Sequence, residues 1–177
     1  MLITSLNMEF HLSTCLIRCW EAGDEQSLVE NANNFNVSKN LKDSFPYPYT
    51  LNDANDWINF NILKKTKTNF ALVVDGCAVG GIGLHEKEDI FCKNMEIGYW
   101  LGEGYWGKGI VTEAAITITQ YGFNNFDIER IYASVFATNK ASMKVLEKAD
   151  YKLEALLKKA VHKNGQVLDE YIFAKYR

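Results

Sequence analysis

Residues 102–109 of the chain read Gly-Glu-Gly-Tyr-Trp-Gly-Lys-Gly and lie between a predicted strand and a predicted helix. A glycine-rich turn that opens a helix directs unpaired backbone N–H groups and the positive end of the helix dipole towards one point. Glycine also allows a ligand to approach the backbone closely. The segment therefore predicts an anion site suited to a pyrophosphate, to which Lys108 adds charge. A tight turn without a ligand is the alternative that composition leaves open.

Two generic nucleotide-binding motifs match this segment only in part. The Gly-x-Gly-x-x-Gly motif of dinucleotide-binding domains needs an acidic residue near the end of the next strand, whereas residues 136–139 read Phe-Ala-Thr-Asn. It also needs further parallel strand–helix units, and only one follows. A P-loop needs Ser or Thr after its Gly-Lys pair, and Gly109 stands there. Both motifs are therefore rejected.

On both sides of this segment, hydrophobic periodicity and turn residues divide the chain into strands and helices. The predicted strands span 11–20, 70–74, 77–85, 93–101, 131–137, 151–162 and 167–176. The predicted helices span 26–34, about 51–65, 107–124 and 139–149. Asp24 is the expected N-cap of the first helix, and Thr50 or Asn52 that of the second. The pairs Asp75-Gly76 and Asn164-Gly165 are hairpin-turn signals.

This order of elements predicts an α+β fold with a mixed, mostly antiparallel sheet of six or seven strands and flanking helices. The strand–helix–strand stretch 93–137 implies one parallel pair with a right-handed crossover. The 177 residues fit a single domain over 1–177, large enough to bury a core without disulfides or metals.

Charge and composition exclude several classes of protein. Lys and Arg total 19 and Asp and Glu total 22, a net charge of −3, which argues against a nucleic-acid partner. No apolar run approaches the roughly 18 residues needed to cross a membrane. The four cysteines lack zinc-ligand spacing, so we expect reduced thiols and no metal (Cys15, Cys19, Cys77 and Cys92). Residues 1–10 have neither a basic nor a long apolar segment, so we expect no signal peptide and a cytoplasmic location.

Three ordered motifs carry a family resemblance. They are Glu-Ile-Gly-Tyr-Trp-Leu at 96–101, Tyr-Trp-Gly-Lys-Gly-Ile-Val-Thr-Glu-Ala at 105–114 and Asn-x-x-Ser-x-x-Val-Leu-Glu-Lys-Ala at 139–149. They resemble the GNAT superfamily of acyl-CoA N-acyltransferases, and within it the ribosomal-protein N-terminal acetyltransferases of the RimJ/RimL type. The stretch 46–58, with its Pro-Tyr-Pro-Tyr loop, resembles the same branch. The resemblance extends over about 11–176 and implies the GNAT fold.

The resemblance implies acetyl-CoA as the acetyl donor and an amine as the acceptor. The pantetheine arm would lie between the strand of Glu96 and the strand of Ile131, where the backbones splay apart. Asn139 would contact that arm or position the reacting groups, and Ser142 would also bind the cofactor. The pyrophosphate would bind the backbone of the motif loop, formed by Trp106, Gly107, Lys108, Gly109, Ile110 and Val111.

The chemistry needs a base and a proton donor. An acceptor amine is mostly protonated near neutral pH and must lose a proton before it attacks a thioester. Glu96, on the strand that enters the glycine loop, is the candidate base, directly or through a water; a solvent-facing carboxylate is the alternative. His85 and Glu86 on the adjacent strand are weaker candidates. By resemblance, Ser142 protonates the leaving thiolate, with a helix-capping serine as the alternative.

The sequence departs from the family pattern at three positions. Gly104 stands where the superfamily has Gln or Arg, so a side-chain contact at the start of the loop is lost. Leu146 stands where many members have a Tyr that protonates the thiolate. Asp150 replaces a Gly after the last motif, and Asp tolerates a positive φ less well than Gly. We expect a local cost in folding there and no loss of activity.

The acceptor that we favour is the N-terminal α-amine of a protein or peptide. It would enter an open groove lined by Tyr47, Tyr49, Trp57 and Trp100, although core packing is the more common role of aromatic residues. One alternative is a small amine such as a polyamine, an amino acid or an antibiotic. Another is a non-catalytic acyl-CoA-binding module. A carboxylate cluster that could hold a polyamine is formed by Glu86, Glu88 and Asp89. A homodimer, through the C-terminal hairpin or an exposed strand edge, is common in this branch of the family.

Overall fold

In a computed structural model of the chain, residues 8–177 are described, so most of the stretch 1–10 lies outside them and its signal-peptide prediction stays untested. One sheet holds eight strands in the order β1-β2-β3-β4-β5-β6-β8-β7. The strands are β1 (Glu9–His11), β2 (Leu16–Cys19), β3 (Asn69–Val74), β4 (Cys77–Glu86), β5 (Asn94–Leu101), β6 (Arg130–Phe136), β7 (Lys152–Lys163) and β8 (Gln166–Tyr176). The helices are α1 (Glu25–Ala32), α2 (Phe35–Ser38), α3 (Leu51–Leu63), α4 (Ile110–Asn125) and α5 (Lys140–Lys148).

The α+β class and the mixed sheet are confirmed, but the sheet has eight strands rather than six or seven. The stretch 11–20, predicted as one strand, folds back on itself between β1 and β2. In the connecting turn, the Leu12 N–H donates to the Cys15 carbonyl at 3.0 Å. The Glu113 carboxylate of α4 accepts hydrogen bonds from the hydroxyls of Ser13 and Thr14, at 2.9 and 2.6 Å. A contact from a distant helix therefore stabilises the turn that the local pattern did not predict.

The parallel pair is confirmed, and it is short. β5 and β6 pair only at Asn94 with Arg130, Met95 with Ile131 and Glu96 with Tyr132. Beyond Glu96, β5 continues beside β4, while β6 continues beside β8. The two strands therefore splay apart into a V-shaped opening whose closed end lies at Glu96 and Tyr132.

Helices cover both faces of the sheet. On one face, α4 and α5 bury Ile118 and Leu146 against Ile97 and Ile131. On the other face, α1 and α3 bury apolar side chains such as Ile58 against the strands. Because side chains alternate along a strand, Glu96 points away from the α4–α5 side that its neighbour Ile97 faces. This alternation gives the two sides of β5 different roles in the site.

The helix ends explain two sequence details. Of the two predicted N-caps of α3, the structure selects Thr50, which forms a capping box with Asp53. Asp24 precedes α1 but makes no side-chain cap bond; its carboxylate instead binds the Arg18 guanidinium through two contacts of 2.7 Å. Asp150, after α5, has φ 65°, the conformation that glycine adopts at lower cost. Among residues 8–177, no helix is long and apolar enough to cross a membrane.

Candidate active site

Two cavities meet beside the open end of the β5–β6 splay. The smaller, about 340 Å³, lies between the glycine loop and the start of α5. The larger, about 630 Å³, lies over the face of the sheet that α1 and α3 flank. Six residues line both cavities: Asn40, Leu41, Tyr99, Trp100, Asn139 and Ser142. A ligand in the smaller cavity therefore has access to a second ligand in the larger one.

The glycine loop forms one wall of the smaller cavity, and all six loop residues predicted from the resemblance, 106–111, line it. Gly107 and Gly109 have φ of 75° and 83°. The first turn of α4 closes with the Glu113 N–H donating to the Gly109 carbonyl at 3.1 Å. The amides of 110–112 therefore have no partner within the helix, which is the arrangement that holds anions.

The charge of the smaller cavity is positive although the chain is acidic. Lys108, Lys144 and Lys148 line it, and no Asp or Glu is among its described lining residues. The Lys108 ammonium lies 5.0 Å from the centre of the Tyr105 ring. The sequence analysis missed Lys144 and Lys148, although their spacing of four residues places them on one face of α5. These ammonium groups favour a phosphorylated ligand.

The positive φ at Gly109 supports a prediction about donor binding. An L-residue in this conformation costs about 1–2 kcal/mol, so Gly109→Ala should raise the Kd of CoA about tenfold. Gly104→Ala is the matched control, because no positive φ is required there and an added Cβ meets nothing within 4 Å. Calorimetric titration with CoA measures both values. Equal Kd values for the two variants would contradict this role of the loop conformation.

The first turn of α5 places Ser142 at the junction of the cavities. The Asn139 side chain accepts a hydrogen bond from the Ser142 N–H at 3.2 Å, so Asn139 is the N-cap and Ser142 is not. The Ser142 hydroxyl is 2.8 Å from the hydroxyl of Tyr99. The alternative of a capping serine is therefore wrong, and the Ser142 hydroxyl is available for chemistry.

Tyr99 is a site residue that the sequence analysis missed. It lies on β5, and burial raises the pKa of its hydroxyl despite the opposing effect of the hydrogen bond with Ser142. The hydroxyl therefore stays protonated near neutral pH and can donate to Ser142. The signal was present in the quoted motif, since a residue two positions from Ile97 shares its side of the strand.

Glu96 lies in the wall of the larger cavity with only 9% of its surface exposed. Its two carboxylate oxygens accept hydrogen bonds from the ammonium groups of Lys42 at 2.9 Å and Lys87 at 2.8 Å. Burial favours the neutral acid, but the hydrogen bonds and charges of the two lysines outweigh it and lower the pKa of Glu96. Glu96 is thus an ionised, buried carboxylate rather than the solvent-facing one of the alternative interpretation.

His85 lies directly opposite Glu96 across the β4–β5 pair and also lines the larger cavity. Desolvation lowers the pKa of its imidazole, although the charge of Glu96 partly opposes this shift. The ring is therefore mostly neutral near pH 7 and can accept a proton. By contrast, the predicted acidic cluster Glu86, Glu88 and Asp89 lines neither cavity, because the chain leaves the sheet there.

Three of the four predicted acceptor-binding aromatic residues line the larger cavity: Tyr49, Trp57 and Trp100. Tyr47 does not line either cavity, which corrects its assignment. It is 54% exposed and its ring packs against Phe35, because the extended loop 46–49 turns neighbouring side chains in different directions. Phe45 lines the larger cavity in the position that was expected for Tyr47, and the centre of its ring is 5.5 Å from that of Trp100.

Known proteins similar to the chain are acetyltransferases. The acetyltransferase (GNAT) domain family matches residues 15–152. The uncharacterized N-acetyltransferase YnaD of Bacillus subtilis is 30% identical over 169 residues, which cover 93% of this chain and 95% of that protein. The ribosomal-protein-serine acetyltransferase of Escherichia coli is 29% identical over 83 residues, 47% of this chain and 46% of that protein. The crystal structure of a GNAT-family acetyltransferase from Bacillus anthracis, 27% identical, superposes with a TM-score of 0.82 over 96% of this chain and 98% of that one.

Proposed function

The chain belongs to the GNAT family of N-acetyltransferases and is similar to its RimJ/RimL type, and we propose on this basis that it acetylates the N-terminal α-amine of a protein or peptide. The observation that carries the proposal is the junction of the two cavities at Tyr99, Asn139 and Ser142. A donor held on the glycine loop and an acceptor amine in the larger cavity can react there.

The residues of the smaller cavity and of the splay fit acetyl-CoA, the donor that this family uses. The amides of 110–112 and the three lysines would hold the pyrophosphate. The unpaired edges of β5 and β6 beyond Glu96 supply backbone groups for the pantetheine arm. An arm that enters from the glycine loop brings its thioester towards the closed end of the splay, beside Glu96.

Two groups supply the proton transfers. Glu96 accepts the proton that the acceptor amine loses as its nitrogen attacks the thioester carbon. Ser142, with Tyr99 behind it at 2.8 Å, donates a proton to the departing sulfur. Acid and base thus act from opposite sides of β5, consistent with the alternation of Glu96 and Tyr99 along the strand.

The shape of the larger cavity supports a chain end as the acceptor. Its volume of about 630 Å³ and the rings of Tyr49, Trp57 and Trp100 suit the first residues of a peptide. A similar protein, that of Escherichia coli, is named a ribosomal-protein-serine acetyltransferase. A small polyamine or aminoglycoside is the second candidate, because the carboxylates of Asp56 and Glu170 line the same cavity and would attract a second ammonium group. The third alternative, a non-catalytic module, leaves the ionised Glu96 and the Ser142–Tyr99 pair without a role.

A thiol-release assay with acetyl-CoA tests the proposal against a panel of amines. The panel contains Ala- and Ser-starting peptides, the same peptides with a blocked N-terminus, polyamines, amino acids and aminoglycosides. We expect release with the free peptides and none with the blocked ones. Release only with polyamines or aminoglycosides would replace the peptide by the second candidate, and no release with any amine would support the non-catalytic module.

Three further expectations belong to the same proposal. The single domain over 1–177 stays a prediction; the presence of β1 and β8 in one continuous sheet supports it. Its four cysteines are free thiols, in keeping with the proposed cytoplasmic location. The homodimer stays a prediction; β7 at the sheet edge exposes Leu153 and Leu157, the kind of surface that such a contact would cover.

A further inference from the structure

A lysine of the chain itself lies where the acceptor amine is expected. Lys42, in the loop between α2 and α3, lines the larger cavity, and its Nζ donates to Oε1 of Glu96 at 2.9 Å. Its neighbours Asn40 and Leu41 line both cavities. The ammonium group therefore already occupies the contact with the candidate base that an acceptor ammonium would make.

The contact between Lys42 and Glu96 lies at a position in the sheet that brings the Lys42 ammonium near the expected thioester. The last β5–β6 pair joins Glu96 to Tyr132, so the splay closes at the residue that Lys42 contacts. The pyrophosphate site lies at the other end of the opening, on the glycine loop. An arm that spans the splay therefore delivers its acetyl group towards the Lys42 ammonium.

Lys42 is also free to move into reaction. Its side chain is 68% exposed, and an ion pair with an exposed lysine contributes little to stability, so its geometry is readily exchanged. Lys87, the other lysine that binds Glu96, differs from Lys42 in exposure, packing and position. Its side chain is 31% exposed, its Nζ lies 5.5 Å from the centre of the Tyr132 ring, and it does not line either cavity. The same carboxylate thus binds one exposed and one packed lysine.

We propose that Lys42 is a self-acetylation site, modified on Nζ within the same molecule when acetyl-CoA is bound and no other amine fills the larger cavity. This inference rests on the proposed acetyl-CoA chemistry. A bond forms between Nζ and the acetyl carbon as the carbon–sulfur bond breaks. Nζ loses two protons: one passes through Glu96 to solvent, and the other restores the Ser142 hydroxyl after it has given its proton to the sulfur. The products are an uncharged acetyl-lysine and CoA thiol.

The test is incubation of the full chain with acetyl-CoA alone, followed by intact mass measurement and peptide mapping. Lys42 should be acetylated at least about tenfold faster than the exposed lysines Lys39 and Lys65, as general-base assistance provides. The rate constant should not change when the protein is diluted, since the reaction is intramolecular. Acetylation of all exposed lysines at one rate, or a rate constant proportional to protein concentration, would overturn the proposal.

Variants separate this inference from the proposed function. Lys42→Arg should remove the fast modification, whereas the matched control Lys39→Arg should leave it unchanged. Glu96→Gln should slow it at least about tenfold. The same preparations are assayed for peptide acetylation: turnover of peptides by an enzyme whose Lys42 stays unmodified would overturn this inference alone. Absence of thiol release with every amine tested would overturn the proposed function and this inference together.

Discussion

Glu96→Gln is expected to lower kcat/KM for the acceptor at least about tenfold while the Kd of CoA stays unchanged. The amide has the shape of the carboxylate but cannot accept the proton of the attacking amine. Glu96 does not line the smaller cavity, so donor binding should not depend on it. Initial rates of thiol release and calorimetric titration with CoA measure the two quantities.

Two controls make this prediction specific. Glu86→Gln removes a neighbouring carboxylate that lines neither cavity and should leave both quantities unchanged.

The pH dependence of the rate is the second control. Lys42 and Lys87 lower the pKa of Glu96, so the base is ionised throughout the neutral range. The rise of kcat/KM with pH should therefore follow an α-amine acceptor with a pKa of about 7.7–8.0, and the Gln variant should keep this rise. Wild-type rates in Glu96→Gln would contradict the assignment and leave His85 as the neutral base that lines the same cavity.

Ser142→Ala is expected to lower kcat at least about tenfold while CoA still binds. The variant removes the hydroxyl that donates to the departing sulfur, while Asn139 still caps α5 through the backbone N–H of residue 142. The helix start should therefore persist. Single-turnover thiol release with a saturating acceptor isolates this step from donor binding.

The hydrogen bond between Ser142 and Tyr99 allows a sharper form of the same test. If the two hydroxyls act as one donor pair, the losses in Tyr99→Phe and Ser142→Ala should not add in the double variant. Ser142→Thr keeps a hydroxyl and serves as the matched control, with most of the rate expected to remain. Additive losses, or a wild-type rate in Ser142→Ala, would show that the sulfur takes its proton from elsewhere.

The sequence by itself determined the elements and the donor loop. Hydrophobic periods and turn residues act locally, so they predicted strands such as 93–101, both hairpin turns and the helix after the glycine loop. The conformation at Gly107 and Gly109 is also local, because only their own backbone angles are involved. The positive φ of Asp150 is local in the same way, because the residue that follows a helix end commonly adopts this conformation.

Only the tertiary structure decided the surroundings of these residues. Lys42 and Glu96 are 54 residues apart in the sequence, and no periodicity relates a loop lysine to a strand carboxylate. The contact forms because the loop before α3 packs over the face of β5 that Glu96 shares. Phe45, and not Tyr47, lines the larger cavity for the same reason, since an irregular loop has no period from which to infer side-chain directions. Local chemistry therefore predicted which groups the site contains, whereas long-range packing decided which groups meet and with what charge.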